Sequence, residues 1–186
     1  MKNETLSMIA SRRSHRAYET TPLTDEQLRL ILDAAMQAPS AVNRQPRHYT
    51  VVTDSALLAE MNGEVRKAVM ARDESKRSPR FAQSDYDVFY HAPCVIFIFG
   101  EPDFRYTDID CGIAVENIAL AAESLGLGSV ILGMPRDAFS GERGDEFRAR
   151  LDCPAGWDFA IAIALGTPTD TKAEHPMREN SISFVR

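Results

Sequence analysis

The sequence predicts an α+β fold: a mixed, mostly antiparallel central sheet flanked by helices on both faces. Three observations lead there. Residues 159–166, FAIAIALG, alternate strictly, with Phe159, Ile161, Ile163 and Leu165 on one face and alanines on the other. Residues 94–99, CVIFIF, form a continuous apolar run of the length of a strand buried on both sides. Helical and extended patterns interleave along the chain, but without the regular βαβ rhythm that builds a parallel sheet. At 186 residues the chain is one domain, 1–186, long enough for a full core.

Residues 3–12 can form a short helix with Leu6, Ile9 and Ala10 on one side. A stronger helix spans about 25–37. Thr24 with Gln27 makes a capping box, Leu23 with Leu28 a hydrophobic staple, and Leu28, Ile31, Leu32 and Ala35 recur at helical spacing until Pro39 ends it. HYTVVT, 48–53, is a β-branched strand. From Ser55 to about Arg72, Leu57, Leu58, Met61, Val65 and Val69 mark a further helix. Between 72 and 90 the chain turns charged and aromatic with no clean period, which predicts an excursion or lid holding at most a short helix. The helix in IDCGIAVENIALAAESL is apolar around most of its circumference. That places it in a core shared with a second subunit or packed on both sides. Gly126 suits its C-terminal cap. SVILG is a short strand, 138–151 a polar helix, and SISFV near the end a strand with little local chain to pair with.

Composition narrows the function classes. The formal net charge is −6, which argues against nucleic acid as a partner. No apolar run reaches membrane-spanning length, and MKNETLSMIASRRS lacks the apolar core of a signal peptide, so a cytoplasmic protein is expected. Cys94, Cys111 and Cys153 are widely spaced and read as free thiols, with Cys111 in the core. Ser14 and Ser40 lack a nucleophile-elbow context, and the four histidines lack metal spacing. The hard chemical step is therefore expected to fall to a bound cofactor.

Three stretches carry the remaining chemistry. RRSHR, 12–16, packs three guanidiniums, a hydroxyl and an imidazole into five residues. It reads as a phosphate site, or as a basic cap on the first helix. LGLGSVILG, 125–133, lacks the third glycine of a dinucleotide fingerprint and runs helix-to-strand, the wrong order. What remains is either a tight turn or a strand end where Gly133 lets a flat ligand reach backbone N–H groups. APSAVNRQPRHYTVV, 38–52, offers hydroxyl, amide and guanidinium groups between two prolines. It is a ligand-holding surface or a stiffened loop at a subunit surface.

Together, RRSHRAY, APSAVNRQPRHYTVV, ESLGLGSVILG and the closing HPMREN resemble the nitroreductase family of FMN-dependent oxidoreductases, in that family's order and as a compact member. The resemblance implies an intertwined homodimer with FMN at the subunit interface, and a tail at about 168–186 reaching toward the partner. It assigns Arg12, Arg13, Ser14 and Arg16 to the phosphate and ribityl chain, and Pro39, Ser40, Ala41 and Asn43 to the flavin bound by the other subunit. Gln45 and Pro46 would fix that loop. Ile131, Leu132 and Gly133 would lie along the ring, Asn62 and Arg66 at its pyrimidine edge, and His175 and Arg178 would complete the phosphate site. By the same resemblance NADH or NADPH reduces the flavin at N5, and a nitroaromatic, quinone or similar small acceptor then takes the electrons from the same slot, which implies ping-pong kinetics. No side chain need act as acid or base. A different class of function shares these motifs: a module that stores, senses or delivers FMN without turnover. The chain departs from the family at Arg47, where an aromatic often follows Gln-Pro, and at Gly133, where some members carry an acidic group. Arg47 reads as an anion-recognising group beside the pocket or as a solvated charge. The aromatics of 72–90 read as substrate contacts or as core packing.

Overall fold

The structure, a computed structural model, describes residues 3–174, 176–179 and 181–186. Among the described residues, six α-helices and four strands follow in the order α1 (Glu4–Ser11), α2 (Asp25–Met36), β1 (Arg47–Val52), α3 (Ser55–Met70), β2 (Cys94–Gly100), α4 (Thr107–Ser124), β3 (Gly128–Leu132), α5 (Arg136–Phe139), α6 (Gly144–Arg150) and β4 (Asp158–Gly166). The strands form one sheet in the order β1-β2-β4-β3, and every ladder is antiparallel. Among the described residues the parallel element is an isolated bridge between Ser14 and Ser129.

The helix ends are set locally. The Thr24 hydroxyl accepts from Gln27 N–H while the Gln27 amide oxygen accepts from Thr24 N–H, so the capping box forms as expected. At the end of α4, Gly126 sits at φ +73. The N–H groups of Gly126 and Leu127 return to Glu123 and Ala122, closing a Schellman motif that turns the chain sharply into β3.

Two apolar layers sandwich the sheet. On one face Val95, Phe97, Phe99, Ala162 and Ala164 meet Met61, Val65 and Val69 of α3 with Phe139 and Phe147 of α5 and α6. On the other, Ile96, Ile98, Ile163 and Leu165 meet Val115, Ile118 and Ala122 of α4 and Ile31 and Ala35 of α2. The small side chains that admit α4 closely therefore stand on the helix, and the alanines of β4 face phenylalanines. Each large side chain fully buried here contributes about 1.5–3 kcal/mol.

Two expectations, for β4 and for the 138–151 segment, need correction. The alternation of FAIAIALG is broken by a β-bulge: Ile98 pairs with Ile161 but Phe99 pairs with Phe159, leaving Ala160 as the extra residue. Phe159 thereby joins the α3-side layer instead of Ile161 and Ile163. The helix expected over 138–151 is two short ones. Between them the chain folds back so closely that a Cβ on Gly144 would clash with the Phe139 carbonyl.

α4 buries one side on the sheet and leaves Ile109 and Ile113 exposed, as α1 leaves Leu6 and Ile9. After β4, Pro168 bridges Tyr18 and Thr169 N–H donates to Ala17 O. Beyond this anchorage the described part of the tail is exposed, including Met177, Ile182, Phe184 and Val185. SISFV is not a strand in this chain.

Candidate functional site

The 12–16 run lies along the outer edge of β3. His15 N–H donates to Ser129 O at 2.9 Å, and Ser14 bridges Ser129. Its three arginines divide the work. Arg13 folds back onto α1, donating to Ala10 O at 2.7 Å and Arg12 O at 2.8 Å, so it does what the helix-cap alternative requires. Arg12 pairs with Glu116 of α4 at 3.3 Å. Arg16 spends one N–H on Ser14 O at 3.3 Å, and its guanidinium lies 5.9 Å from the Tyr90 ring centre, which leaves most of its fork available.

The tail enters through a residue that sequence reasoning missed. Asp170 accepts from Arg16 N–H at 3.0 Å and meets His15 Nδ1 at 2.7 Å and Lys172 Nζ at 2.8 Å. Burial raises its pKa, but the Lys172, Arg16 and His15 bonds outweigh that and hold it down at about 2. Tyr18 donates its phenol to His15 O at 2.7 Å, and burial pushes that phenol well up. Ser14, Arg16, Lys172, Ala173 and Glu174 line a cleft of about 290 Å³. Arg178 does not line it among the described residues and stands exposed on the tail. His175 lies outside the described residues. Nothing in the sequence marked Asp170 or Lys172, because their role depends on where the tail crosses the run.

Ser129 turns its carbonyl to the outer edge of β3, so with a period of two Ile131 turns its backbone groups there as well, and Gly133 follows just past the strand's end. Past His15 that edge is unpaired among the described residues. A Cβ on Gly133 would meet nothing within 4 Å. Leu132 points into the core, whereas Ile131 lines an apolar groove of about 380 Å³ with Val115, Arg136 and Ile161. A free row of N–H donors beside an open surface suits a planar acceptor-rich ring.

The 38–46 loop is strained and tied down. Val42, Asn43 and Gln45 sit at φ of 50, 52 and 53, a region that costs a residue other than glycine on the order of 1–3 kcal/mol. Ala41 N–H donates to both carboxylate oxygens of Asp110 at 3.2 Å. Arg47 donates to Pro39 O at 3.2 Å, Ala38 O at 2.9 Å and Asp110 O at 3.1 Å. Its guanidinium is thus neither a solvated charge nor a free anion-binding group; three carbonyls hold it. Gln45 N–H donates to Ser40 Oγ at 2.9 Å, and the Gln45 amide donates to Asn43 Oδ1 at 3.0 Å. Ser40 keeps its O–H and Asn43 its NH₂, so the loop presents donors outward.

Asn62 and Arg66 of α3 meet the 72–90 excursion. Asn62 Oδ1 accepts from Val88 N–H at 3.1 Å, and Arg66 donates to Tyr86 O at 2.9 Å and Gln83 O at 3.1 Å. The excursion holds two 3-10 turns, Glu74–Lys76 and Pro79–Ala82, and is pinned by Phe81, Val88 and Phe89 in the core. Tyr86 and Tyr90 remain at its surface and, with Arg16 and Tyr18, line a second cleft of about 320 Å³. The two α3 groups thus reach the Arg16 region through the segment they hold. Cys94 and Cys111 are buried, and burial pushes both thiols up to about 12, leaving them protonated and inert at neutral pH.

Comparison with known proteins fits this geometry. The family model described as "Nitroreductase family" matches residues 9–167. A crystal structure of a nitroreductase with bound FMN from Desulfitobacterium hafniense superposes with a TM-score of 0.94 at 37% identity, covering 100% of both chains. A relative from Archaeoglobus fulgidus, under the provisional name NADH dehydrogenase/NAD(P)H nitroreductase, is 35% identical over 91% of this chain and 88% of its own. The NADPH-flavin oxidoreductase of Vibrio harveyi is 29% identical over 94% of this chain and 70% of its own.

Proposed function

The chain belongs to the nitroreductase family and is an FMN-dependent NAD(P)H oxidoreductase, and on that premise we propose how its residues serve the reaction. The observation that carries the reading is the RRSHR run laid against the free edge of β3, beside a cleft lined by Ser14, Arg16 and Lys172. An uncommitted guanidinium, a hydroxyl and an ammonium suit a phosphate; a row of backbone donors and an open Gly133 suit the flavin ring. FMN, when bound, supplies the two-electron chemistry between NAD(P)H and the acceptor.

Arg16, Ser14 and Lys172 hold the phosphate and ribityl chain, with Arg12 alongside and Arg13 and Asp170 fixing the run. Arg178, exposed on the tail, would add a further cation to the same phosphate, and His175, which lies outside the described residues, is assigned there by the family resemblance. The N–H groups of Ile131 and Gly133 would supply the donors at the ring edge of a bound FMN, compensating the negative charge that its reduction brings. Asn62 and Arg66 act at the pyrimidine side, from behind the 83–88 backbone. Pro39, Ser40, Ala41 and Asn43 border the flavin bound by the partner subunit, in a homodimer that also covers Ile109 and Ile113. The donor leaves before a small oxidised acceptor, a nitroaromatic or quinone, enters the same slot, so turnover is ping-pong. The protein's part is stacking geometry and charge compensation, with no general acid at the central step.

The test is the visible spectrum of purified protein, followed by anaerobic NADH and then NADPH. Bleaching by either donor, with parallel double-reciprocal plots against a quinone, is the expected result. Flavin that neither donor reduces would favour an FMN storage or sensing module. No flavin after reconstitution would refute the reading.

A further inference from the structure

We propose that Arg47 and Asp110 are positioning residues for the flavin bound by the partner subunit: together they clamp the 38–46 loop in the strained shape with which it borders that flavin. This rests on the function proposed above.

The loop's tip stands open to solvent. Val42 is 91% exposed although it is β-branched and left-handed, and Asn43 and Gln45 are exposed as well. Such a conformation persists only where its surroundings over-determine it. The bonds that do so come from the body of the chain. Asp110 is 3% exposed, an expensive place for a carboxylate, and among the described residues both its side-chain oxygens serve Ala41 N–H. Arg47 gathers the carbonyls of Ala38, Pro39 and Asp110, tying the loop's entry to the same turn of α4. Arg44 adds a bidentate pair to Glu101 at 2.6 and 2.8 Å on the outer side. The sheet and both apolar layers close without the tip. The clamp therefore fixes a surface whose use lies outside the chain, and that surface presents the Ser40 and Asn43 donors.

The experiment uses full-length protein, with FMN itself as the probe. Arg47→Met keeps the stem and removes the fork; Asp110→Asn keeps an acceptor for Ala41 and removes the charge. For each, FMN affinity is titrated by flavin fluorescence at a concentration where sedimentation shows dimer, and the apo fold is followed by circular dichroism. We expect an apo fold like wild type and an FMN dissociation constant raised at least tenfold, with partial rescue by Arg47→Lys. The decisive form is a mixed dimer, co-expressed with two tags, of one Arg47→Met subunit and one Arg16→Ala subunit. If the clamp acts across the interface, one of the two sites combines an intact loop with an intact Arg16. The mixed dimer then binds one FMN with near wild-type affinity, although both parent homodimers bind weakly. No tight site in the mixed dimer, unchanged affinity in the Arg47 and Asp110 variants, or lost apo fold in both would overturn the proposal. Wild type that fails to bind FMN would overturn the function first and the clamp with it.

Discussion

Gly128 is where the phosphate run, the start of β3 and the end of β4 converge, and replacing it by alanine tests whether that convergence matters. The added Cβ would stand 2.8 Å from Pro168 Cβ and 3.0 Å from His15 Cβ and Cγ. Neither neighbour is a flexible end. Pro168 is bridged to Tyr18, and His15 is held by Ser129 O on one side and Asp170 on the other. Overpacking by one methyl in such a place costs about 1–3 kcal/mol. If the scaffold absorbs it, the apo melting temperature falls by roughly 2–12 °C, at about 2–4 °C per kcal/mol for a chain of this length. If the 12–16 run moves off β3 instead, stability is spared and FMN affinity falls by about 5- to 150-fold, at roughly 1.4 kcal/mol per tenfold. Differential scanning fluorimetry of apo protein and FMN titration together recover the whole cost, because the two losses draw on one strain. Gly63→Ala is the control: its Cβ meets nothing within 4 Å, and an alanine in the middle of α3 raises stability by about 0.5–1 kcal/mol. A Gly128→Ala protein unchanged in both melting and FMN affinity would refute the placement of the run.

Asp170→Asn removes a carboxylate whose folded pKa lies below its unfolded value. Its stabilisation, on the order of 1 kcal/mol once solvent screening of this open network is allowed for, is therefore complete above the unfolded value and is lost as pH falls through about 2. Urea titrations should show the variant weaker than wild type at pH 7 by up to that amount, with the difference closing toward pH 2. Phe97→Ala empties the centre of an aromatic cluster with Phe89, Phe139 and Phe159, and a loss of about 3–5 kcal/mol is expected in denaturant unfolding. Deleting residues 177–186 removes the exposed Met177, Ile182, Phe184 and Val185, and the circular dichroism of the core should not change. Sedimentation velocity should then show a weakened dimer; undiminished association would mean the tail does not clasp the partner.

What was legible in the sequence is what local chemistry decides. The Thr24 box, the Gly126 cap and the two-sided burial of CVIFIF depend on residues near one another, and all three form. The bulge at Ala160 does not, because it is a mismatch between β4 and β2 that neither strand records alone. Arg47 was misread for a similar reason. A guanidinium after a Gln-Pro pair looks solvated until the chain returns, over sixty residues later, to place the Asp110 carbonyl beside it. Asp110 did leave a signal. A carboxylate at the head of a helix apolar almost all round must find a partner when buried, and here that partner is Ala41 N–H of the proline-rich loop. Arg13 illustrates the opposite limit: both its readings were visible, and only the fold-back onto Ala10 O decides between them for the bonds within this chain.

The extra residue in β4 sets a rule for how this chain can change over time. Ala160 carries no functional group, yet its displaced carbonyl receives Arg136, whose guanidinium lies 5.6 Å from the centre of the Phe159 ring. Losing that single codon would close the ladder into regular pairing, with Phe159 still opposite Phe99 in the phenylalanine layer, but it would leave Arg136 without its acceptor. Length at this point is thus an inherited quantity in its own right. Substitutions near Ala160 can accumulate singly, whereas a one-residue deletion must be matched by a new acceptor for Arg136.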